Sequence, residues 1–516
     1  MREQRQIKPL VEAVPLEARP PGLGDNTADL DRLRRGLAEF TGNWAAVPWR
    51  DSQRIADEFR AAEFSGAAII DRSGPEDRVI SFRKNTPEIL PGLALDLGTT
   101  HLEASLVDMR SGRHLAAVNS PNPQIVHGDD ILSRIHFATR GNGLGQLRAE
   151  INSSIATLAG RLAAEVGCGG GDICALCVSG NTTMSHFFLG LNPYHLIREP
   201  YIPVVNLPDP VSAAELGLEN IHPAAPVLVM PGVGSYFGGD LLSGIIASDL
   251  DRGEKAVMLI DVGTNAEVVV GNRDWLLACA GAAGPALEGG VARMGMRAGP
   301  GAIDRVRLAG GELSFTTIDD APARGICGSG VIDLVAALYL GRFIDMRGEF
   351  VPARCGERLV ESEDGAAFVL VSGKEAADGE PVLFTQVDLD AVMRSKAAMY
   401  SILSTITAEV GCEFTDLEKI FVAGAFGRHI DPESAITIGM MPDLPRDRFV
   451  PLGNTSLAGA ERLLSHRDDL ARLKELVGRI TYIELNVNQE FMLRFSGCRF
   501  IPHTDRSLFP SVPFFD

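Results

Sequence analysis

Apolar residues recur along the chain with two periods, one typical of strands and one typical of helices. The stretch GLALDLGTT at residues 92–100 is an apolar run that meets a turn, and LEASLVD at residues 102–108 alternates apolar and polar positions. Further along, Ile155, Leu158 and Leu162 fall on one face of a helix. We therefore expect a strand, a tight turn, a second strand and a later helix in this part of the chain.

The same order of patterns returns in the second half. Residues 257–265, VMLIDVGTN, form another apolar run that ends in a glycine-containing turn, and AEVVVGN follows as a second strand. An apolar helix is predicted after GICGSG at residues 325–330, and KIFVAGAFG at residues 419–427 predicts a strand that enters a glycine-rich turn. Strands and helices thus alternate in both halves, which is typical of the α/β class.

The N-terminal stretch is less regular. Leu30, Leu33 and Leu37 predict a helix, SQRIADEFRAA predicts another, and AAIIDR and RVISFRK predict a small pair of strands. A chain of 516 residues is too long for one simple core. We therefore expect three parts, which are a small α/β linker module at residues 1–90, a first subdomain at 91–255 and a second subdomain at 256–516.

The charge of the chain narrows the classes of partner. The formal net charge is −19, with 48 Lys and Arg residues against 67 Asp and Glu residues. Because nucleic acids and anionic membranes are bound through clustered basic residues, neither is an expected partner. The N-terminal MREQRQIK lacks the apolar segment of a secretory signal, and no apolar run reaches the length that spans a bilayer. We therefore expect a cytoplasmic protein.

A turn of the form Asp-x-Gly-Thr follows a buried strand twice, with Asp96 and Asp261 lying 165 residues apart. A carboxylate in such a turn can orient hydrated Mg²⁺, which prefers oxygen ligands. Glycine lets the backbone approach a phosphate closely, and the hydroxyl and N–H groups that follow can donate to phosphate oxygens. One such turn joins strands in many folds, but two with matching flanking strands predict two related halves that act on one polyphosphate.

These turns and a later glycine-rich loop resemble the nucleotide-binding loops of the superfamily of actin, sugar kinases and heat-shock chaperone ATPases. Residues 96–100, DLGTT, are similar to its first phosphate loop, and residues 261–265, DVGTN, to its second. Residues 422–427, VAGAFG, are similar to its adenosine loop and also follow a predicted strand. The resemblance implies a duplicated actin-like (ASKHA) ATPase fold that binds ATP and Mg²⁺.

Longer motifs resemble one group in particular, the reductive activators of corrinoid proteins. These motifs are GNTTM, GTNAE, AAGPALEGG, GICGSG, AGAFG and YIELN. The resemblance covers nearly the whole chain, and it implies an ATPase that uses hydrolysis to return a Co(II) corrinoid to Co(I) after oxidation has stopped a methyltransferase. It also implies a corrinoid protein as a partner, and it suggests a homodimer.

The resemblance assigns roles to individual residues. Asp96 and Asp261 would face Mg²⁺ and the phosphates, one positioning the metal and the other the attacking water. The phosphate contacts that it implies are Gly98, Thr99, Thr100, Gly263, Thr264 and Asn265. The residues that it places around the adenosine are Glu288, Gly424, Ala425, Phe426 and Gly427.

Two further polar residues each have two interpretations. Asp240 lies near the start of a predicted helix between the two phosphate loops. It would orient the attacking water, as residues of the connecting helix do in the superfamily, or it is an acid favoured by the helix dipole. Asn181 follows a predicted buried strand, and it would either reach the nucleotide or stabilise a turn.

The cysteines depart from the family pattern. The better-known members carry an iron–sulfur cluster, which needs closely arrayed thiolates. Here none of the eight cysteines precedes Cys168, and Cys498 is alone near the C-terminus. Cys174 and Cys177 have a CxxC spacing, but on a strand their side chains would point to opposite faces. We therefore expect no iron–sulfur cluster in this chain and a separate ferredoxin or reductase as the electron donor.

Two other functions fit the same fold. A small-molecule kinase would place a substrate pocket and a catalytic base beside the γ-phosphate. A nucleotide-gated regulatory protein would bind ATP and a protein partner without any redox activity. Because both acidic residues of the duplicated turns are present, an active ATPase is favoured over the regulatory protein.

Overall fold

The computed structural model divides by its contacts into two units. The described residues are 6–263, 266–281, 292–427, 429–485 and 488–515, with the backbone alone for Ala425 and Phe426. One unit contains the residues up to Ala247 together with Thr455–Arg479, and the other contains Ser248–Asn454 together with the residues from Ile480. The predicted boundaries after residues 90 and 255 stay a prediction.

An N-terminal module belongs to the first unit and consists of a three-stranded antiparallel sheet with two helices. Its elements are β1 (Val11–Glu17), α1 (Asp29–Thr41), α2 (Ser52–Ala61), β2 (Ser65–Asp71) and β3 (Arg78–Arg83). The two predicted helices and the predicted strand pair are confirmed. The sequence pattern does not predict β1, which lies at the edge of the sheet, where Pro15 is tolerated. Leu33, Leu37 and Phe59 fill the core of this module.

The rest of the first unit is built on a six-stranded sheet with the order β6-β5-β4-β7-β9-β8. Its core contains Ile155, Leu158 and Leu162, the residues of the predicted helical face. The elements are β4 (Pro91–Leu97), β5 (His101–Asp108), β6 (Arg113–Pro121), α3 (Ile131–Ala138), α4 (Gly143–Val166), β7 (Ala175–Ser179), α5 (Thr182–Leu189), β8 (Val211–Ser212), α6 (Ala213–Leu216), β9 (Pro226–Val229) and α7 (Gly239–Ser248).

The second unit also contains a six-stranded sheet, with the order β20-β19-β10-β11-β12-β21, and two smaller sheets, β14-β13-β15 and β16-β17-β18. The elements from β10 onward are β10 (Val257–Val262), β11 (Ala266–Gly271), β12 (Leu276–Gly281), β13 (Ala302–Ala309), β14 (Glu312–Thr317), β15 (Gly325–Ile326), α8 (Gly328–Leu340), α9 (Pro352–Cys355), β16 (Leu359–Ser362), β17 (Gly365–Val371), β18 (Val382–Thr385), α10 (Gln386–Glu409), β19 (Ile420–Ala423), α11 (Gly424–Gly427), α12 (Pro432–Thr437), β20 (Phe449–Gly453), α13 (Thr455–Ser465), α14 (Asp469–Arg479), β21 (Ile480–Ile483) and α15 (Gln489–Cys498). Of these, α13 and α14 belong to the first unit.

The two large sheets share the topology of five of their six strands. In the first, β4, β5 and β6 form an antiparallel meander, and β7 and β9 extend it as parallel strands on the β4 side. In the second, β10, β11 and β12 form the same meander, and β19 and β20 extend it in parallel on the β10 side. The duplicated α/β fold predicted from the repeated turns is therefore confirmed.

Helices α4 and α10 are each 24 residues long. Polar residues cover one face of α4, and α10 is buried along most of its length with polar side chains such as Lys396 and Thr405 among its buried residues. Within the described part of the chain, none of the helices combines the length and the apolar character that crossing a bilayer requires.

Helix α13 follows β20 in sequence but packs on β4, β5 and β7 of the first unit. It also lies against α7, because a Cβ atom added at Gly459 would lie only 2.5 Å from the Cα atom of Ser243. Real Cβ atoms do not approach other atoms so closely. The two helices can therefore cross at this distance only with glycine at position 459.

We predict that Gly459→Ala lowers the free energy of unfolding by about 1–3 kcal/mol, because the added methyl group overpacks the contact with α7. The matched control is Gly478→Ala in α14, where a Cβ atom would meet nothing within 4 Å. That change should be neutral or stabilise by up to about 1 kcal/mol through helix propensity. Urea denaturation of the two variants measures both effects, and equal stability of the two would contradict the close crossing.

Candidate functional site

The first Asp-Gly-Thr turn joins β4 to β5 in the first unit. Asp96 is the penultimate residue of β4 and pairs with Glu103 across the meander. A Cβ atom at Gly98 would lie 2.5 Å from the carbonyl oxygen of His101. The turn therefore needs glycine at this position, as expected of a loop whose backbone approaches a ligand closely.

Two asparagines hold this turn in place. The Nδ2 group of Asn122 donates to the carbonyl oxygen of Gly98 at 2.8 Å, and its backbone N–H donates to that of Thr100 at 2.9 Å. The Nδ2 group of Asn181 donates to the Oγ1 atom of Thr99 at 3.0 Å. The sequence analysis does not single out Asn122, because this residue lies far from the turn in the sequence. Its side chain is almost fully buried.

For Asn181 the sequence left two roles open, a contact with nucleotide and the stabilisation of a turn. Its Oδ1 atom accepts from the backbone N–H of Met184 at 3.0 Å, so Asn181 is the N-cap of α5. The same side chain contacts Thr99 of the predicted phosphate loop. The turn-stabilising interpretation is therefore confirmed, and a contact with nucleotide stays a prediction.

Asp240 is the second residue of α7, and its Oδ1 atom accepts from the backbone N–H of Leu241 at 2.9 Å. The pKa of this carboxyl is raised from 3.8 to about 6, mainly by burial and in smaller part by the charge of Asp96, while the Leu241 N–H group opposes the shift. A Cβ atom at Gly238 would lie 2.8 Å from Asp240 Oδ1 and 2.5 Å from the Cα atom of Asn181. The fold thus brings Asp96, Asn181 and Asp240 together in the first unit.

Three buried serines lie behind Asp96, and sequence reasoning missed all of them. The Oγ atom of Ser456 in α13 donates to Asp96 Oδ1 at 2.7 Å. Ser179 pairs directly with Asp96 in the sheet, and its Oγ atom lies 2.8 Å from Ser456 Oγ and 2.8 Å from Ser243 Oγ. The position of Ser179 at the end of a strand is a usable signal in the sequence, whereas Ser456 reaches this place only through the path of α13.

The second Asp-Gly-Thr turn follows β10 in the second unit. Asp261 is the penultimate residue of β10 and pairs with Ala423 at the end of the parallel strand β19. Gly424 has a φ of +85°, and a Cβ atom there would lie 2.8 Å from Asp261 Oδ1 and 2.7 Å from the carbonyl oxygen of Val262. The predicted adenosine loop therefore begins in direct contact with the predicted second phosphate loop.

Gly427 ends the same loop and packs closely on Val422, since a Cβ atom at Gly427 would lie 2.8 Å from the Cγ1 atom of Val422. Gly263 follows β10 directly. Several other predicted contacts lie outside the described residues or side chains, and they stay predictions. These are Thr264, Asn265 and Glu288 and the side chains of Ala425 and Phe426.

Family models match nearly the whole chain. The model described as "RACo linker region" matches residues 2–88, "RACo middle region" matches 91–253, and "C-terminal domain of RACo the ASKHA domain" matches 255–513. The chain belongs to the RACo family, the reductive activators of corrinoid proteins. The family resemblance seen in the sequence motifs is therefore confirmed.

Individual relatives agree with membership in the RACo family. The chain is 32% identical to "Corrinoid activation enzyme RamQ" of Eubacterium limosum over 429 residues, 81% of this chain and 71% of the relative. It is 25% identical to "[Co(II) methylated amine-specific corrinoid protein] reductase" of Methanosarcina barkeri, over 76% of this chain and 73% of that protein. The solved structure "Reductive activator for corrinoid,iron-sulfur protein" is 36% identical, with a TM-score of 0.90 over 99% of this chain and 82% of that one.

We predict that Asp240→Asn stabilises this RACo-family protein at neutral pH. Since the pKa of Asp240 is raised in the folded state, folding favours its proton, and the cost of ionising the carboxyl grows between about pH 4 and pH 6 and is complete above that range. The asparagine oxygen still accepts from Leu241. In EDTA, the variant should be more stable than the wild type by about 1–3 kcal/mol near pH 8, and the difference should vanish toward pH 4.

Urea denaturation at several pH values measures this difference. The matched control is Asp209→Asn, which removes an exposed carboxylate of the same unit and should give no such gain. A wild type that equals the Asp240→Asn variant at pH 8 would show that Asp240 bears no cost of burial.

Proposed function

We propose that the protein couples ATP hydrolysis to the reduction of a corrinoid protein from Co(II) to Co(I), with electrons from a separate donor. One observation supports this most directly: 99% of the chain aligns at 36% identity with a reductive activator for a corrinoid iron–sulfur protein. The names of the two curated relatives, a corrinoid activation enzyme and a Co(II) corrinoid protein reductase, point the same way. The corrinoid protein of a methyltransferase system is thus the proposed partner, and a homodimer remains a prediction.

ATP would be bound by backbone groups of the two turns and the later loop. In the first unit, Gly98 and Thr100 present a turn that Asn122 fixes, and the Thr99 hydroxyl is oriented by Asn181. Such a preorganised turn can donate to phosphate oxygens without first losing conformational entropy. In the second unit, Gly263, Thr264 and Asn265 would bind phosphates, and Glu288, Gly424, Ala425, Phe426 and Gly427 would surround the adenosine.

The acidic residues of the first unit fit a magnesium ion. Asp96 raises the pKa of Asp240, which means that two carboxylates interact unfavourably at one partly buried place. A divalent cation with oxygen ligands relieves such repulsion. Asp96 and Asp261 are the residues that would hold Mg²⁺, which supplies neutralisation of the phosphate charge when bound.

Asp261 and Asp240 are the candidates for orienting the attacking water. At neutral pH a carboxyl with a pKa of about 6 is mostly ionised, so Asp240 can accept a proton or a hydrogen bond from water. Gly424 limits the freedom of the Asp261 side chain, because it lies against the Oδ1 atom. The alternative for Asp240, an acid favoured by the dipole of α7, is compatible with the same position.

The electron donor is proposed to be a separate protein. Six of the eight cysteines are buried, and burial raises the pKa of Cys174 to about 12 and that of Cys177 further still. Thiols of this kind resist the deprotonation that cluster ligation requires. All eight are free, which agrees with a reducing compartment such as the cytoplasm.

We predict that Co(I) forms only when Mg-ATP, a cognate Co(II) corrinoid protein and a low-potential reductant are all present, and that Asp261→Ala abolishes it. Gly424→Ala should lower the rate at least about tenfold, because the methyl group displaces Asp261. The matched control is Gly411→Ala, which also has a positive φ of +62° but open space around the added atom. Its rate should stay within about twofold of the wild type.

The Co(I) absorbance measures these rates. ATP turnover without any Co(I), despite a cognate partner, would overturn the proposal, and a phosphorylated metabolite would then identify a kinase.

The purified protein itself should show no visible absorption that reductant bleaches. Iron–sulfur clusters absorb there, and their thiolate ligands would have to come from these mostly buried cysteines. Anaerobic reconstitution with iron and sulfide, followed by a spectrum, is the measurement. A bleachable band that scales with protein concentration would replace the separate donor with an internal one.

A further inference from the structure

A chain of three serine hydroxyls ends on Asp96. Ser243 of α7, Ser179 of β7 and Ser456 of α13 are linked by Oγ–Oγ distances of 2.8 Å each, and Ser456 lies 2.7 Å from Asp96 Oδ1. Ser179 and Ser243 are fully buried, and Ser456 is 5% exposed. The chain therefore runs through the interior of the first unit, away from solvent.

The direction of these hydrogen bonds follows by elimination. An ionised carboxylate only accepts, so the Ser456 hydroxyl donates its single hydrogen to Asp96. Ser456 must then accept from Ser179, which in turn must accept from Ser243. All three bonds point toward the carboxylate, an arrangement in which each bond polarises and strengthens the next.

The fold itself does not require these hydroxyls. In the second sheet, the residue that pairs with Asp261 at the position of Ser179 is Ala423. A Cβ atom added at Gly424 would lie 2.8 Å from Asp261 Oδ1 there. The strand position beside the aspartate thus has a hydroxyl group in the first sheet and a methyl group in the second.

The three buried hydroxyls satisfy one another and Asp96. A buried hydroxyl without a partner is destabilising, so each serine depends on the next for its hydrogen bond. The close crossing at Gly459 places α13 against Ser243, one helical turn after Ser456. Strand β7, helix α7 and helix α13 therefore each contribute one hydroxyl to the chain that ends on Asp96.

We propose that Ser456, supported by Ser179 and Ser243, is a positioning residue for ATP turnover that fixes the Asp96 carboxylate. This rests on the proposed function, because it assigns Asp96 to the Mg-ATP site. Loss of the hydroxyl leaves ATP able to bind, but the carboxylate is no longer held in the orientation that turnover requires. The effect therefore falls on kcat more than on KM.

The test is ATP turnover by the full-length protein with Mg²⁺ and a cognate Co(II) corrinoid protein. Ser456→Ala should lower kcat about tenfold, as expected for a hydrogen bond to a charged group, and change KM for ATP less than about threefold. Ser456→Thr, which keeps a hydroxyl, should restore kcat to within about threefold. Ser179→Ala, which copies Ala423 of the second half, should give a smaller loss.

Two controls separate positioning from stability. Ser465→Ala removes another buried hydroxyl of α13, whose Oγ atom donates to the carbonyl oxygen of Glu461 at 3.5 Å, and it should leave kcat unchanged. The double variant Ser179→Ala/Ser456→Ala should be no slower than Ser456→Ala, because both changes break one chain. Fully additive losses, or equal kcat in the Ser456→Ala and Ser465→Ala variants, would overturn the inference.

The result also distinguishes this inference from the proposed function. A wild type that neither binds nor hydrolyses Mg-ATP sinks the proposed function and this inference with it. A wild type that hydrolyses ATP while Ser456→Ala keeps full kcat overturns the positioning role alone.

If the wild type binds without measurable turnover, the ratio of ATP dissociation constants in EDTA and in Mg²⁺ replaces kcat. This ratio should then be about tenfold smaller for Ser456→Ala than for the wild type, because Mg²⁺ strengthens ATP binding less in the variant. An unchanged ratio would overturn the inference.

Discussion

The parallel pairing of one central strand with its neighbour is the interaction on which the rest of this structure depends. In the first sheet, β4 pairs with β7, and in the second, β10 pairs with β19. Because parallel strands end at the same edge, this pairing places Asp96 beside Ser179 and Asp261 beside Ala423. Each carboxylate then lies at an edge where the glycine-containing turns also begin, so the acidic residues and the backbone donors share one place in each unit.

Glycine makes the close contacts around these edges possible. Gly98 allows the first turn, Gly424 lies against Asp261, and Gly459 allows α13 to reach Ser243. In each case a Cβ atom would come within 3 Å of a neighbouring atom. A larger residue at any of these positions would therefore have to displace its neighbours, which is why glycine fits there.

The carboxylates show why such a site costs stability. Asp240 is held beside Asp96 with its pKa raised, an arrangement that folding alone would not favour. The serine chain contributes in the opposite sense, since it donates to Asp96 and supports the ionised form. Asp96 therefore has both a repelling carboxylate and hydrogen-bond donors around it. Such surroundings are consistent with a site that binds a cation and phosphates.

The sequence by itself determined the two apolar strands with their Asp-x-Gly-Thr turns, the α/β class, the family and most of the residues that line the turns, because these depend on local periodicity and short motifs. The tertiary structure alone decided that α13 returns to the first unit and brings Ser456 to Asp96, a contact between residues 360 positions apart. It likewise decided that Asn122 holds the first turn and that Gly424 meets Asp261. No local pattern specifies such contacts, because they arise from how strands pair and helices cross once the chain has folded.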